Sequence, residues 1–424
     1  MGLSKSLSVA YIFPVVIICY TFSLLWGWFP RTHTIYVLFL GVLACLFLCQ
    51  DYFRTKQVTY LLLLEVVLGL NMLMNDHLHA SAMGFVYEMI SIAITAMMGC
   101  YLLKAKNETL VTATTLMLLL MLIVNVVGSL FVETIFPGSI RAVVTEFHDT
   151  GSQDLAMAFY KFGMASYEMT HAIPTIIPMV VYGIKVETNV KTKIFFIIIL
   201  IACLLLCYLG GSTTALLLGM FALVLSLFTK TDQGKSQLVL FGLLAVVFML
   251  VLSNDSLMLS LLDWADNMMG NEGNFHSKIV DFQFSIESSG SSESTAGRGD
   301  LYMQSVNAIL SNPLLGTNSD TMGHHSTILD HWACLGLIGL IPYLAFIYFQ
   351  LKWTSRYIPV SSKTFFVEGA GIAILMLAVK SIDGWESWLF LFTFMPIMAR
   401  YIETKKKPTI QIANGNSREK KRLS

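Results

Sequence analysis

The feature that most constrains this chain is a recurrence of mainly apolar runs about 16–24 residues long. Roughly 20 residues cross the hydrocarbon of a bilayer at 1.5 Å each. The runs fall at about 8–29, 33–50, 58–74, 82–103, 109–131, 170–184, 194–210, 212–229, 237–253, 326–350, 365–380 and 386–401. In lipid every backbone polar group needs an internal partner, and for runs of this length that means helix. Composition agrees, with 55% hydrophobic and 13% charged residues against about 25% charged in soluble domains. The expected fold is an all-α polytopic membrane protein with about 12 transmembrane helices.

The formal net charge is zero, but the charges are unevenly placed. With the N-terminus inside, 21 of the 27 Lys and Arg fall in cytoplasmic connections. The other 6, Arg31, Arg141, Lys161, Lys278, Arg298 and Lys380, fall outside. This bias predicts cytoplasmic N and C termini. The first run, about 22 residues long with no small-residue cleavage site, reads as a retained helix rather than a signal peptide.

The chain then divides into helices 1–9 over 1–253, with an outer loop at 132–169, and a long extracytoplasmic loop at 254–325 before helix 10. Helices 10–12 occupy 326–403, and a basic cytoplasmic tail at 404–424 suits anionic lipid. Loops of that size on one face usually cover or build a site. In the second loop, 257–269 predicts an interfacial helix with Ser260, Asp263 and Asn267 on one face and Trp264 at headgroup depth. Residues 288–295, SSGSSEST, predict a flexible piece. A helix is expected over 301–310 with Asp300 as its N-cap. The seven cysteines all lie in apolar runs, and the i,i+4 pairs Cys45/Cys49 and Cys203/Cys207 suit helix packing better than metal or disulfide chemistry.

The polar residues near the tenth run carry the chemical signal. The Arg298 guanidinium never deprotonates and its fork matches two phosphate oxygens, although a headgroup anchor would use it as well. His324, His325 and His331 fall within eight residues, with Asp320 and Asp330. An imidazole at the membrane surface can take a proton from a sugar hydroxyl. A metal cluster of His324, His325, Asp330 and His331 is the weaker alternative, because the spacing lacks the i,i+4 histidine pair of zinc helices. Glu65 and Glu88 lie inside runs, where a carboxylate either pairs within the bundle or serves a proton or ion path. Lys380 and Asp383 are near enough in sequence to pair locally. No nucleotide-binding glycine pattern or serine elbow is present, and nothing in the charge pattern points to nucleic acid.

In order, Arg298, Pro313-Leu314-Leu315-Gly316, His325 and the LGLIGL run at 335–340, with Gly336 eleven residues after His325, resemble the core of the O-antigen polymerase and O-antigen ligase family. The match spans about 45 residues. Two positions depart from the family pattern: Ser326 stands where asparagine is usual, and Thr213 where a second arginine is common. The resemblance implies a membrane glycosyltransferase-C-like architecture and metal-independent glycosyl transfer without a cofactor. The implied donor is a polyprenyl-diphosphate-linked glycan and the acceptor another glycan. The implied location is the outer face of a bacterial cytoplasmic (inner) membrane, alongside flippase and chain-length regulator proteins. His325 would be the general base and Arg298 the diphosphate ligand. Arg141, Lys161, His324, His331 and Asp300 are further candidates for substrate contact, with Arg141 or Lys161 supplying the charge absent at Thr213.

The expected function is a polysaccharide polymerase for O-antigen, capsule or exopolysaccharide. A ligase transferring lipid-linked glycan to another acceptor is the alternative. A lipid-linked oligosaccharide flippase or transporter is the alternative of another class, and Glu65 and Glu88 are the residues that favour it.

Overall fold

A computed structural model describes residues 11–12, 14, 43–74, 79–136, 167–210, 212–230, 255–269, 276, 279–280, 283, 296–317, 326–380 and 385–405. Among these residues the regular structure is helical throughout, with no strand. The helices are α1 Lys56–Met74, α2 His79–Lys104, α3 Glu108–Ile135, α4 Tyr167–Val186, α5 Val190–Leu209, α6 Thr213–Phe228, α7 Asp255–Met269, α8 Ala296–Ser311, α9 Thr327–Tyr357 and α10 Val360–Val379. A last helix, α11, spans 385–405 and contains a π-helical stretch at Phe390–Phe394. Five of them, α3, α4, α5, α9 and α10, are long and apolar enough to cross a membrane, the build of an integral membrane protein. The run at 237–253, most of 8–29, of 33–50 and of 132–169, residues 288–295 and the tail after Lys405 lie outside the described residues.

The bundle is organised around α4, whose residues Met169–Gly183 are all buried and which packs against α5, α6, α10 and α11. Pro174 and Pro178 lie inside it. Packed neighbours of this kind are what make proline tolerable within a membrane helix. Helix ends gather on two faces. On one, Arg400 donates to the carbonyls of Leu102 (2.7 Å), Leu103 (2.9 Å) and Ala105 (2.6 Å), closing α2. Lys185 does the same for α6, donating to the carbonyls of Ser226, Leu227 and Thr229 at 2.7–2.8 Å. A cation on the last carbonyls of a helix is favoured by the helix dipole. This face also carries Lys56, Lys104, Lys106, Lys191, Lys193, Lys230, Arg356 and Lys363. The opposite face, among the described residues, has Arg298 and Lys380.

The most consequential local feature interrupts α9. Gly336 adopts φ 64°, ψ −173°, a conformation closed to side-chain-bearing residues at little cost only for glycine. Against the break packs the turn after α8, where Asn312-Pro313 ends the helix and Gly316 adopts φ 80°. The two segments exchange backbone bonds. In an unbroken helix Leu337 N–H would reach Ala333 and Ile338 N–H would reach Cys334. Instead Leu337 donates to Pro313 O (2.9 Å) and Ile338 to Leu314 O (3.3 Å), while Ala333 O accepts from Thr317 N (2.7 Å). Cys334 O accepts from Asn71 Nδ2 of α1 (3.0 Å). A Cβ on Gly316 would sit 2.1 Å from Cys334 O, and one on Gly336 would sit 2.1 Å from Leu314 O.

The break revises two expectations. The span expected over 326–350 is two helical pieces, and the stretch 337–357 alone is about 30 Å long at 1.5 Å per residue, enough to cross the hydrocarbon. Exposed apolar side chains, Ile338, Ile341, Leu344 and Tyr348, begin only after Gly336. Asp300 is not an N-cap: α8 starts at Ala296, so Asp300 lies inside the helix. The alternation of small and charged residues in AGRGD hid a helical first turn.

Helix α7 begins two residues earlier than expected, at Asp255, and Ser260, Asp263, Trp264 and Asn267 are all exposed. The six described cysteines are buried and unbridged.

Because both glycines hold positive φ at a backbone crossing, Gly316→Ala and Gly336→Ala should each cost about 1–3 kcal/mol from φ strain alone. Gly69→Ala, where an added Cβ meets nothing within 4 Å, should be neutral or gain up to about 1 kcal/mol. Thermal unfolding of the purified chain in detergent distinguishes the three; equal melting of all of them would contradict the crossing.

Candidate functional site

Helices α8 and α9 run side by side in the same direction, joined by two sets of contacts. One is the glycine crossing. The other is Asp330, buried at 5% exposure, whose Oδ1 accepts from Ser305 Oγ (2.8 Å) and Oδ2 from Ser326 N (3.2 Å). Ser326 in turn caps α9, its Oγ accepting from Leu329 N (3.2 Å). Serine and asparagine are about equally good N-caps, so the departure at Ser326 preserves the local structure. Tyr302, one turn before Ser305, donates to Val379 O at the end of α10 (2.6 Å). Thr327 donates through both N and Oγ1 to Lys380 O, each at 3.2 Å.

Arg298, Tyr302 and Ser305 recur at i, i+4, i+7 and so share one stripe of α8. Arg298 occupies the first turn, seven residues and about 10 Å before Ser305. That is toward the same end as Ser326. Ser326 and the helix bearing Arg298 therefore belong to one folded unit; His325, His324 and Asp320 lie outside the described residues, as do Arg141, Lys161 and Asp383. The N-termini of α4, α6, α8, α9 and α11 all point to this face, and helix N-termini favour anions.

His331 is 1% exposed. Its Nδ1 lies 2.7 Å from Thr327 O, which can only accept, so Nδ1 carries hydrogen. Its Nε2 lies 3.2 Å from Glu88 Oε2. That is within ion-pair distance of a protonated ring. Tyr343 donates to Glu88 Oε1 (3.3 Å) and stacks on the His331 ring at 4.3 Å. Trp388 meets Tyr343 edge-on at 6.3 Å. The intramembrane Glu88 is thus paired inside the bundle, and among the described residues no group of three or more His, Cys, Asp or Glu could hold a metal ion. Glu65 is half-buried on α1.

A second histidine was not singled out by sequence reasoning. His171 Nδ1 faces Tyr167 O (2.9 Å), and Nε2 meets Ser212 Oγ at 2.7 Å. In the neutral ring Ser212 donates to Nε2 while accepting from Ala215 N (3.3 Å) as the cap of α6. The His171 ring meets that of Tyr167 at 4.2 Å, tilted by 51°, and Lys380 Nζ lies 5.4 Å from the Tyr167 ring centroid. Asp330, Tyr302 and Lys380 were also undervalued. The only sequence signals for them are the i, i+4, i+7 stripe of α8 and the spacing of Asp330 four residues after Ser326.

Removing one member of the buried pair leaves an uncompensated polar group, which typically costs about 3–5 kcal/mol. Glu88→Ala and His331→Ala should each destabilise strongly, and the double variant by clearly less than their sum. A double-mutant cycle on unfolding in detergent measures the coupling; strict additivity would show that the two side chains do not interact.

Comparison with protein-family models and with curated proteins finds no match to this chain.

Proposed function

We propose that this protein is a membrane glycosyltransferase that joins polyprenyl-diphosphate-linked oligosaccharide units into a polysaccharide at the outer face of a bacterial cytoplasmic membrane. The observation that carries the reading is the α8–turn–α9 unit. The Pro-Leu-Leu-Gly turn seats on the Leu335-Gly336 break, and Asp330 ties the helix bearing Arg298 to Ser326, the residue after His325. The helix bearing Arg298, the Pro-Leu-Leu-Gly turn, Ser326 and the Gly336 break are thereby one hydrogen-bonded element. The scarcity of Lys and Arg on that face, against their abundance on the other, supports its assignment to the outside.

In the reaction, an acceptor hydroxyl attacks the anomeric carbon of the donor sugar. The bond from that carbon to the diphosphate oxygen breaks, and polyprenyl diphosphate leaves with the electron pair. His325 accepts the hydroxyl proton, and Arg298 neutralises charge gathering on the departing diphosphate. The helix N-termini on this face favour the same anion. Apolar grooves of the bundle suit the polyprenyl tail.

His325→Ala and Arg298→Ala, each at unchanged membrane abundance, should abolish chain extension or reduce it by about 100-fold or more, the usual worth of an acid–base or charge-stabilising group. The assay is the length distribution of surface glycan in a strain whose own copy is deleted. Single units in place of a ladder mark a polymerase. Long chains left on the carrier mark a ligase, and units held on the cytoplasmic leaflet mark a flippase. Normal polymer from either variant would remove that residue from the mechanism.

A further inference from the structure

We propose that a cavity on the lysine-rich face, lined by Asp51, Lys104 and Trp353, holds the headgroup of phosphatidylethanolamine from the adjoining leaflet. The site lies at the end of the bundle opposite Arg298 and stands apart from the transfer reaction. Its volume is about 220 Å³, above the roughly 150 Å³ at which an apolar cavity takes in benzene. Three elements enclose it: the 3-10 turn Gln50–Arg54, the end of α2 and the last turns of α9. Their mutual placement is fixed by buried polar contacts. Tyr52 of the turn donates to Gln350 Oε1 of α9 (3.0 Å), and Gln350 Nε2 reaches Cys100 Sγ of α2 and Thr354 Oγ1, each at 3.3 Å. A site organised in advance loses less freedom when a ligand enters.

Opposite charges line this cavity from different elements: Asp51 belongs to the turn, and Lys104 ends α2. Among the described residues no ion pair joins the two, and Asp51 has no ion-pair partner. The Lys104 ammonium lies 5.3 Å from the ring centroid of Trp353 and 5.8 Å from that of Tyr357, cation–π contacts that fix its position. A void lined by one cation and one anion that do not neutralise each other suits a zwitterion. An anionic headgroup would meet Asp51 as a like charge. A choline headgroup would bring the carboxylate no N–H donor, whereas a primary ammonium brings three. Phosphoethanolamine satisfies both groups, its phosphate on Lys104 and its ammonium on Asp51. The surroundings indicate a lipid rather than a soluble zwitterion. Leu46 and Phe47, just before the lining residue Leu48, are exposed apolar side chains, as is Phe53. Tyr101 and Trp353 line the cavity, and such residues are enriched at headgroup depth.

The test is native mass spectrometry of the purified full-length chain in detergent, titrated with four probes. Three are phosphatidylethanolamine, phosphatidylglycerol and phosphatidylcholine with matched acyl chains, and the fourth is soluble O-phosphoethanolamine. Phosphatidylethanolamine should bind about 10-fold tighter than the other two lipids, the low end for a charge-assisted hydrogen bond because Asp51 and Lys104 are both exposed. Asp51→Asn should remove that preference while leaving the other two lipids unchanged. Lys104→Gln should weaken all three, since each carries a phosphate. Asp51→Lys should turn the preference toward phosphatidylglycerol, a gain that a misfolded variant could not show. Equal binding of the three lipids by the wild type, or a preference that Asp51→Asn leaves intact, would overturn the site. Loss of all three lipids in Asp51→Asn would mark a packing role and overturn it as well. Soluble O-phosphoethanolamine binding as tightly as the lipid would overturn the lipid as occupant.

Discussion

The crossing of Gly316 over Gly336 is the constraint on which the rest of this face depends. A helix broken in an apolar setting exposes amides and carbonyls that no water can satisfy. Here the turn after α8 supplies the missing partners, so the break is stable only while α8 lies against α9. That requirement fixes the direction and register of α8. Two backbones can exchange hydrogen bonds at this distance only if neither residue at the crossing carries a Cβ, because such an atom would lie 2.1 Å from a carbonyl oxygen of the other segment. One steric fact therefore sets where the first turn of α8 ends up relative to the start of α9.

The polar groups inside the bundle obey the same economy. Asp330 is buried and uses both oxygens, one on each of the elements it joins. Glu88 takes the imidazole of His331 and the hydroxyl of Tyr343. Lys185 and Arg400 spend their charge on the last carbonyls of neighbouring helices. Satisfaction of this kind turns expensive groups into specific ones, since each partner is found only in one packing arrangement. A buried ionisable pair in a membrane invites a transport role. In this bundle the pair closes on itself between α2 and α9, which suits a fastening as well as a path. Ser387 and Trp388 are the contrast: both line a narrow cavity, and Ser387 Oγ and Trp388 Nε1 are buried without a hydrogen-bond partner.

Much of the architecture was legible in the residues. The runs at 58–74, 82–103, 109–131, 170–184, 194–210, 212–229, 365–380 and 386–401 each overlie a helix, because a long apolar stretch has few ways to satisfy its backbone. The pairing of Cys203 with Cys207 on a buried face followed from helical spacing alone. Asp300 misled because a capping residue and an acidic residue in the first turns of a helix look alike in sequence. The break at Gly336 was invisible for a related reason: LGLIGL is as apolar as any unbroken run, and glycine is common in membrane helices.

By itself the sequence determined the class of fold, the helical segments and the asymmetry of charge, because hydrophobic length and the placement of Lys and Arg act locally along the chain. It also ordered Arg298, the Pro-Leu-Leu-Gly turn and Gly336 into one stretch. Only the tertiary structure decided that the turn replaces a rung of α9, that Asp330 locks α8 to the residue after His325, that His331 belongs to Glu88, and that Lys380 sits against both arms. Those contacts join residues as far apart as Glu88 and His331, or Tyr302 and Val379. No periodicity encodes them; they exist because buried backbone and charge must find partners, and the packed bundle offers each of them few.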